Sequence, residues 1–211
     1  MGRLIVVAGI SGVGKTALTR RLCELLPLVT GLEQHEERPF QALFAREHSR
    51  FSLANQFDYL LFRAEQELAI RESQKDGIID GGLELDYFLF SHLFYQKGYL
   101  STEEFRLCQR LYRILRQALP APDLILYLRA PLSLVARRFA ARGRSLEIAE
   151  LADMEDMERL LEQWMQAVQD TPVIQVDASQ DDPLYTRVGE ELSRRIQAVL
   201  KNSPGAQDQD G

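Results

Sequence analysis

Gly9-Ile10-Ser11-Gly12-Val13-Gly14-Lys15-Thr16 fits G-x-x-x-x-G-K-[ST] at every fixed position. Leu4-Ile5-Val6-Val7-Ala8 before it is an unbroken apolar run, as a strand buried on both faces should be. After it, Leu18, Leu22, Leu25 and Leu26 recur at helical spacing, and Pro27 stops the run. Strand, glycine-rich loop and helix in that order turn the motif into a phosphate site. Glycines let several backbone N–H groups converge on one anion, and the helix opening at Lys15 adds the positive end of its dipole. Gly9, Ser11, Gly12, Val13, Gly14, Lys15 and Thr16 are therefore expected to cradle the phosphates of a nucleoside triphosphate. Lys15 is expected at the β- and γ-phosphates, and the Thr16 hydroxyl as a ligand of Mg²⁺. The loop does not say what receives the phosphate.

Composition bounds the class. A length of 211 residues suits one domain with ample material for a core, and 45% hydrophobic with 27% charged residues is ordinary for a globular chain. The net charge of −6 argues against a surface that binds nucleic acid. No apolar run approaches membrane-spanning length, and the first strand starts too near Met1 for a signal peptide. The only two cysteines, Cys23 and Cys108, sit in helical patterns, which predicts reduced core thiols and a cytoplasmic setting.

Outward from the loop, strands and helices alternate. Leu28 to Glu33 reads as the second strand, Glu33 to Pro39 as a polar loop, Phe40 to Glu47 as a short helix and Phe51 to Lys75 as a long one. Ile78-Ile79-Asp80 is a third strand closed by Gly81-Gly82. Leu83 to Gln96 is an aromatic helix, and Ser101 with Glu104 forms a capping box that opens a helix to about Leu119. Asp123 to Leu128 and Pro172 to Val176 are the last strands. Helices are expected over Pro131 to Arg142, Leu151 to Gln169 and Pro183 to Leu200, with a basic loop at Gly143 to Ile148. Residues 1–202 make the domain, and the polar segment 203–211 is an expected disordered tail. This alternation predicts an α/β fold: a five-stranded parallel sheet flanked by helices, with ligands at the carboxyl ends of the strands. The phosphate loop, Glu33 and Asp80 would then face one cleft.

Several further constellations, together with the loop, resemble the deoxynucleoside kinases, P-loop enzymes that phosphorylate the 5′-hydroxyl of a deoxynucleoside. The resemblance runs from about Leu4 to Leu200, with the bacterial deoxyadenosine/deoxyguanosine branch most similar. It implies the P-loop kinase fold, ATP and Mg²⁺, a deoxynucleoside acceptor and a homodimer, for which the aromatic Tyr87 to Tyr95 stretch offers a surface. Glu33, in Glu-x-x-Glu-Glu-x-Pro, matches the catalytic base; a carboxylate at a strand end can accept the hydroxyl proton. Glu36 and Glu37 compete for that role but lie further into the loop. Gln56 and Arg63, two helical turns apart, match base-recognising residues, although spacing alone favours a surface amide and a salt-bridged arginine. Asp86 matches the aspartate that pairs with that arginine, and Phe90 the aromatic that stacks on the base; by position alone Phe90 is core. Asp80 would hold Mg²⁺ through water. Arg138, Arg142, Arg144 and Glu147, in Arg-x-x-x-Arg-Gly-Arg-x-x-Glu, match an arginine-rich lid. Its arginines meet the ATP phosphates and its glutamate meets the sugar 3′-hydroxyl.

The chain also departs from the pattern. Gln34 stands where proline usually follows the base, Gly81-Gly82 where many members have Arg-Ser, Ala45 where a tyrosine meets the 3′-hydroxyl and Asn55 where an aromatic holds the base. Two rivals therefore stand. Another small P-loop kinase would act on a nucleoside monophosphate, using Arg38, Arg46, Arg50, Arg63 or Arg71 for the second phosphate, or on another small hydroxyl acceptor, and a non-catalytic nucleotide-binding module would bind without turnover. A GTPase would need Asn-Lys-x-Asp, which the chain lacks.

Overall fold

The computed structural model describes residues 1–31, 38–142, 151–179, 182 and 184–202. Five parallel strands form the sheet in the order β2-β3-β1-β4-β5, with β1 Leu4–Ala8, β2 Val29–Gly31, β3 Gly77–Asp80, β4 Leu124–Arg129 and β5 Val173–Asp177. The strand that carries the loop motif is the central one. β1 lies between β3, with Val7 beside Asp80, and β4, with Ala8 beside Tyr127. All five β1 side chains are fully buried, as the unbroken apolar run requires. At the edge, β5 alternates exposed and buried positions, because successive side chains point to opposite faces and only one face meets the core there.

Helix α1, Lys15–Leu25, follows the loop, and α2, Gln41–Arg46, leads into the long α3, His48–Glu72. α4, Leu83–Leu85, continues through a π-helical segment, Asp86–Ser91, into α5, His92–Gln96. α6 is Thr102–Ala118, α7 Leu132–Arg142, α8 Met154–Ala167 after a 3₁₀ turn at Leu151–Asp153, and α9 Val188–Asn202. The α6 capping box forms in full: Ser101 Oγ accepts from Glu104 N at 3.2 Å, and Glu104 Oε2 from Ser101 N at 2.8 Å.

Two expectations change. The last helix starts at Val188, not near Pro183. Asp182 instead folds a turn: its carboxylate accepts from the backbone N–H of Thr186 and of Arg187, both at 2.9 Å, and Tyr185 takes a positive φ of 54°. The aromatic stretch expected to offer a dimer surface is mostly core, with Tyr95 exposed at its end. Tyr87, Leu89, Leu93 and Phe94 are at most 5% exposed. Tyr87 stacks on Tyr112 of α6 at 4.2 Å between ring centroids, and Phe94 on Phe44 of α2 at 4.7 Å. These rings fill the space between α2, α3, α6 and the π segment, a second apolar cluster beside the one under the sheet. Among the described residues no helix is long and apolar enough to cross a membrane.

Candidate active site

The phosphate loop takes the shape its glycines predict. Gly12 and Gly14 have φ of 86° and 113°, which side-chain-bearing residues rarely adopt. A Cβ on Gly12 would stand 3.1 Å from the Phe139 Cβ, and one on Gly14 would stand 2.6 Å from the Tyr185 hydroxyl. Gly14 is the N-cap of α1, so the amide ends of that helix point into the loop. Lys15 Nζ lies over the loop and donates to Gly9 O at 3.0 Å and Ile10 O at 3.3 Å. Thr16 Oγ1, in the first turn of α1, donates to Asp80 Oδ2 at the end of β3. Asp80 is only 5% exposed, and both groups offer oxygen, the donor type a hard divalent cation takes. The pair sequence reasoning assigned to Mg²⁺ is thus together, and its chemistry fits. Among the described residues no cluster of three metal-binding side chains exists, so phosphate oxygens and water would complete the shell.

Beside the loop lies a pocket lined by Gly14, Arg138, Asp177, Ala178, Asp182, Tyr185 and Val188. Arg138 Nη1 donates to Ala178 O at 2.8 Å and Val13 O at 3.4 Å, which ties α7 to the loop and to the end of β5. Burial pushes the Tyr185 phenol up to about 12, so it stays protonated at neutral pH. Sequence reasoning missed this pocket apart from Arg138 and the loop glycine. Its walls come from three distant segments, and Asp177-Ala178 carries no motif of its own.

On the other side, Gln56, Arg63 and Asp86 come together at 1%, 4% and 4% exposure. Arg63 Nε donates to Asp86 Oδ2 at 2.6 Å. Gln56 Nε2 donates to Asp86 O at 2.8 Å and Ser91 Oγ at 2.9 Å. The widened π turn that begins at Asp86 leaves its carbonyl within reach of Gln56. Ser91 is a site neighbour that sequence reasoning did not name. Phe90 is half-buried against the sheet-side core, on the same π segment. Arg63 Nη1 also donates to Gln66 Oε1 at 3.0 Å, and Gln66 Nε2 to Gly31 O at 2.9 Å. The carboxyl end of β2, which leads to Glu33, is thereby tied to the same cluster.

The departures acquire physical reasons in part. Gly81 has φ 97°, and a Cβ there would stand 3.1 Å from Arg63 Nη2, so Arg63 occupies the room a side chain would need. Ala45 is exposed on α2. Asn55 is fully buried, with neither amide atom hydrogen-bonded. Glu33, Glu36, Glu37, Arg144 and Glu147 lie outside the described residues, and Arg142 is described only as the last residue of α7.

These contacts form one continuous path. Thr16 touches Asp80, Gly81 abuts Arg63, Arg63 holds Asp86, and Gln56 binds the Asp86 carbonyl. A phosphate cradle therefore adjoins a buried, polar, side-chain-lined cluster of a different kind. The chain is similar to the deoxyadenosine/deoxycytidine kinase of Bacillus subtilis, 27% identical over 82% of this chain and 81% of that one. It is similar as well to a thymidylate kinase of Synechococcus, 30% identical over 89% of this chain and 97% of the relative. In three dimensions it matches a deoxyadenosine kinase from M. mycoides, solved with bound dCTP. The TM-score is 0.77 at 22% identity, over 92% of this chain and 98% of that one. The family model described as deoxynucleoside kinase matches residues 5–201. With a phosphate loop joined to that second cluster and a match across nearly the whole chain, this protein belongs to the deoxynucleoside kinase family and is an enzyme.

Proposed function

We propose that the enzyme transfers the γ-phosphate of ATP to the 5′-hydroxyl of a deoxynucleoside, giving the 5′-monophosphate. The observation that carries this is the unbroken path from Thr16 through Asp80 and Gly81 to Arg63, Asp86 and Gln56. It sets a donor site against an acceptor site whose buried amide and ion pair suit the edge of a base. The loop amides and Lys15 bind the triphosphate, and the pocket lined by Asp177, Ala178 and Tyr185 takes the donor's nucleoside. Thr16 and Asp80 would hold Mg²⁺, which supplies charge neutralisation at the β- and γ-oxygens. Gln56 and Arg63 meet the base edge, Asp86 pairs with Arg63, and Phe90 stacks on the ring. Glu33 accepts the 5′-hydroxyl proton as that oxygen attacks phosphorus. Arg142 and Arg144 close on the phosphates, beside Arg138, and offset the charge that builds during transfer. Glu147 takes the 3′-hydroxyl.

The monophosphate-kinase reading has one support, the thymidylate kinase relative. Against it, most of the arginines that would hold a second phosphate are engaged by carboxylates. Arg38 forks onto Asp58, Arg50 meets Glu47, Arg63 meets Asp86 and Arg71 meets Asp123. Steady-state rates with ATP and a panel of deoxynucleosides and their 5′-monophosphates separate the two. Turnover of a deoxynucleoside is expected, and turnover of monophosphates alone would overturn the proposal.

The same reading makes the enzyme a cytoplasmic homodimer. Cys23 and Cys108 carry free thiols, in keeping with a reducing compartment. α3 and α6 pack together, and each exposes two leucine or isoleucine side chains seven residues apart: Leu61 and Leu68, Leu107 and Ile114. That pair of apolar stripes is the surface we assign to the second copy.

A further inference from the structure

Three ionisable side chains that the transfer does not use meet inside the protein. Arg116 of α6 places Nη2 3.1 Å from each carboxylate oxygen of Glu67 on α3, and 2.7 Å from Glu84 Oε1 on α4. Glu67 is fully buried and Glu84 is 5% exposed. One guanidinium nitrogen carries two hydrogens, so three carboxylate oxygens compete for them. Arg116 Nη1 is taken by Pro120 O at 2.7 Å, and Arg116 Nε and Glu84 Oε2 are buried with no hydrogen-bond partner. Other charged and titratable groups face the cluster. Arg71 of α3 is already engaged by Asp123 at 2.5 Å and by the carbonyls of Gly2 and Ala121. Tyr112 of α6 has its phenol pushed up by burial and by Glu84. Two buried acids thus share one cation, and a second negative charge there lacks a full partner.

The cluster also grips the acceptor side. Leu83 N donates to Glu67 Oε1 at 3.4 Å, at the first residue of α4. Arg63 lies one turn before Glu67 on α3, and Asp86 lies two residues after Glu84. The segment that presents Asp86 to Arg63 is therefore laced to α3 a second time through Glu67, Arg116 and Glu84. We propose that Glu84 is a positioning residue for the acceptor: it and Glu67 hold one proton between them across Arg116, and its neutral form keeps Leu83 to Asp86 seated so that Asp86 meets Arg63.

Burial raises the carboxyls of both acids; the donors divide them, because Glu67 receives Arg116 on both oxygens and Leu83 N and so keeps the charge, while Glu84, with one orphaned oxygen, takes the proton. Burial first, then the charge of Glu67, raises the Glu84 carboxyl to about 7. A raised acid stabilises the fold while protonated, so its contribution is full at low pH and is lost as pH rises through about 7. Above that pH a second carboxylate shares the one Arg116 cation with Glu67, which draws Glu84 toward water, and Asp86 moves with it.

The inference rests on the deoxynucleoside reading, and direct binding separates the two. Calorimetry would give Kd for deoxyadenosine, deoxyguanosine, deoxycytidine and thymidine, and for ADP, from about pH 6 to 8.5, a span that brackets the Glu84 value. For the tightest deoxynucleoside, Kd should rise about tenfold across that range, the effect of one pKa unit of linkage, while the ADP Kd stays level. Glu84→Gln, which mimics the neutral acid, should hold the low-pH affinity throughout, and Glu84→Asp should restore the pH dependence. A level deoxynucleoside Kd in the native chain overturns the proposal even if Glu84→Gln fails to fold. The same slope in native and Glu84→Gln protein overturns it too. If no deoxynucleoside binds at any pH, the deoxynucleoside reading falls and takes this inference with it.

Discussion

Gln56 donates both its amide hydrogens to protein acceptors, Asp86 O and Ser91 Oγ, so its orientation is fixed before any ligand arrives. Its remaining oxygen is then a directed acceptor for a base edge. Gln56→Ala should raise the deoxynucleoside KM, by roughly 5- to 150-fold for the 1–3 kcal/mol of one lost buried hydrogen bond, with the ATP KM unmoved. Steady-state kinetics varying each substrate in turn check this split. The base is tested by substitution at three acids. Glu33→Gln keeps size and hydrogen bonding but cannot take a proton, so kcat should fall about 10²–10⁴-fold, while Glu36→Gln and Glu37→Gln should cost far less. Single-turnover rates of the three variants decide which carboxylate acts. Residues bound to a local motif were legible in the sequence: the glycines, Lys15 and Thr16 each have a fixed place around one anion. Arg63 and Asp86 were legible only through the family pattern, and the structure pairs them. Glu67 and Arg116, 49 residues apart, were not legible, because the only local sign of a buried ion cluster was charge at core-facing helical positions.

At the scale of elements, polar caps read well and subtle backbone changes did not. Ser101 and Glu104 announce α6 because a capping box is a four-residue pattern with its own hydrogen bonds. The π segment at Asp86–Ser91 left no mark, since its apolar residues also suit an α-helix. The start of α9 was misjudged because Pro183 resembles a first-turn residue, while the Asp182 turn depends on a positive φ at Tyr185. Arg142 is the last residue of α7, and the predicted lid follows it in sequence. Arg142→Ala and Arg144→Ala should each lower kcat on the order of 10²-fold or more, with a smaller change in ATP affinity, because their contacts strengthen as charge moves. ATP binding by calorimetry beside kcat measures that difference, and near-normal kcat in both variants would remove the lid from the mechanism.

For the whole molecule, the alternation of strands and helices decided the parallel sheet, since parallel strands need crossover connections. It did not supply the strand order, which depends on long-range packing. The stretch expected to offer a dimer surface is mostly core for a related reason: an aromatic stretch looks the same in sequence whether it faces a second copy or its own α6. If α3 and α6 carry the interface, Leu107→Glu with Ile114→Glu should give a monomer by sedimentation, since each charge would sit in an apolar contact. The central claim, that one cleft joins a triphosphate to a deoxynucleoside, is tested most directly by following phosphorus. ATP labelled at the γ-phosphate would be mixed with enzyme, Mg²⁺ and equal amounts of a deoxynucleoside and its 5′-monophosphate, and the products identified by mass and by ³¹P NMR. The account predicts label on the 5′-oxygen of the deoxynucleoside and little diphosphate at early times. Label appearing only as the diphosphate, or only as inorganic phosphate, would contradict it.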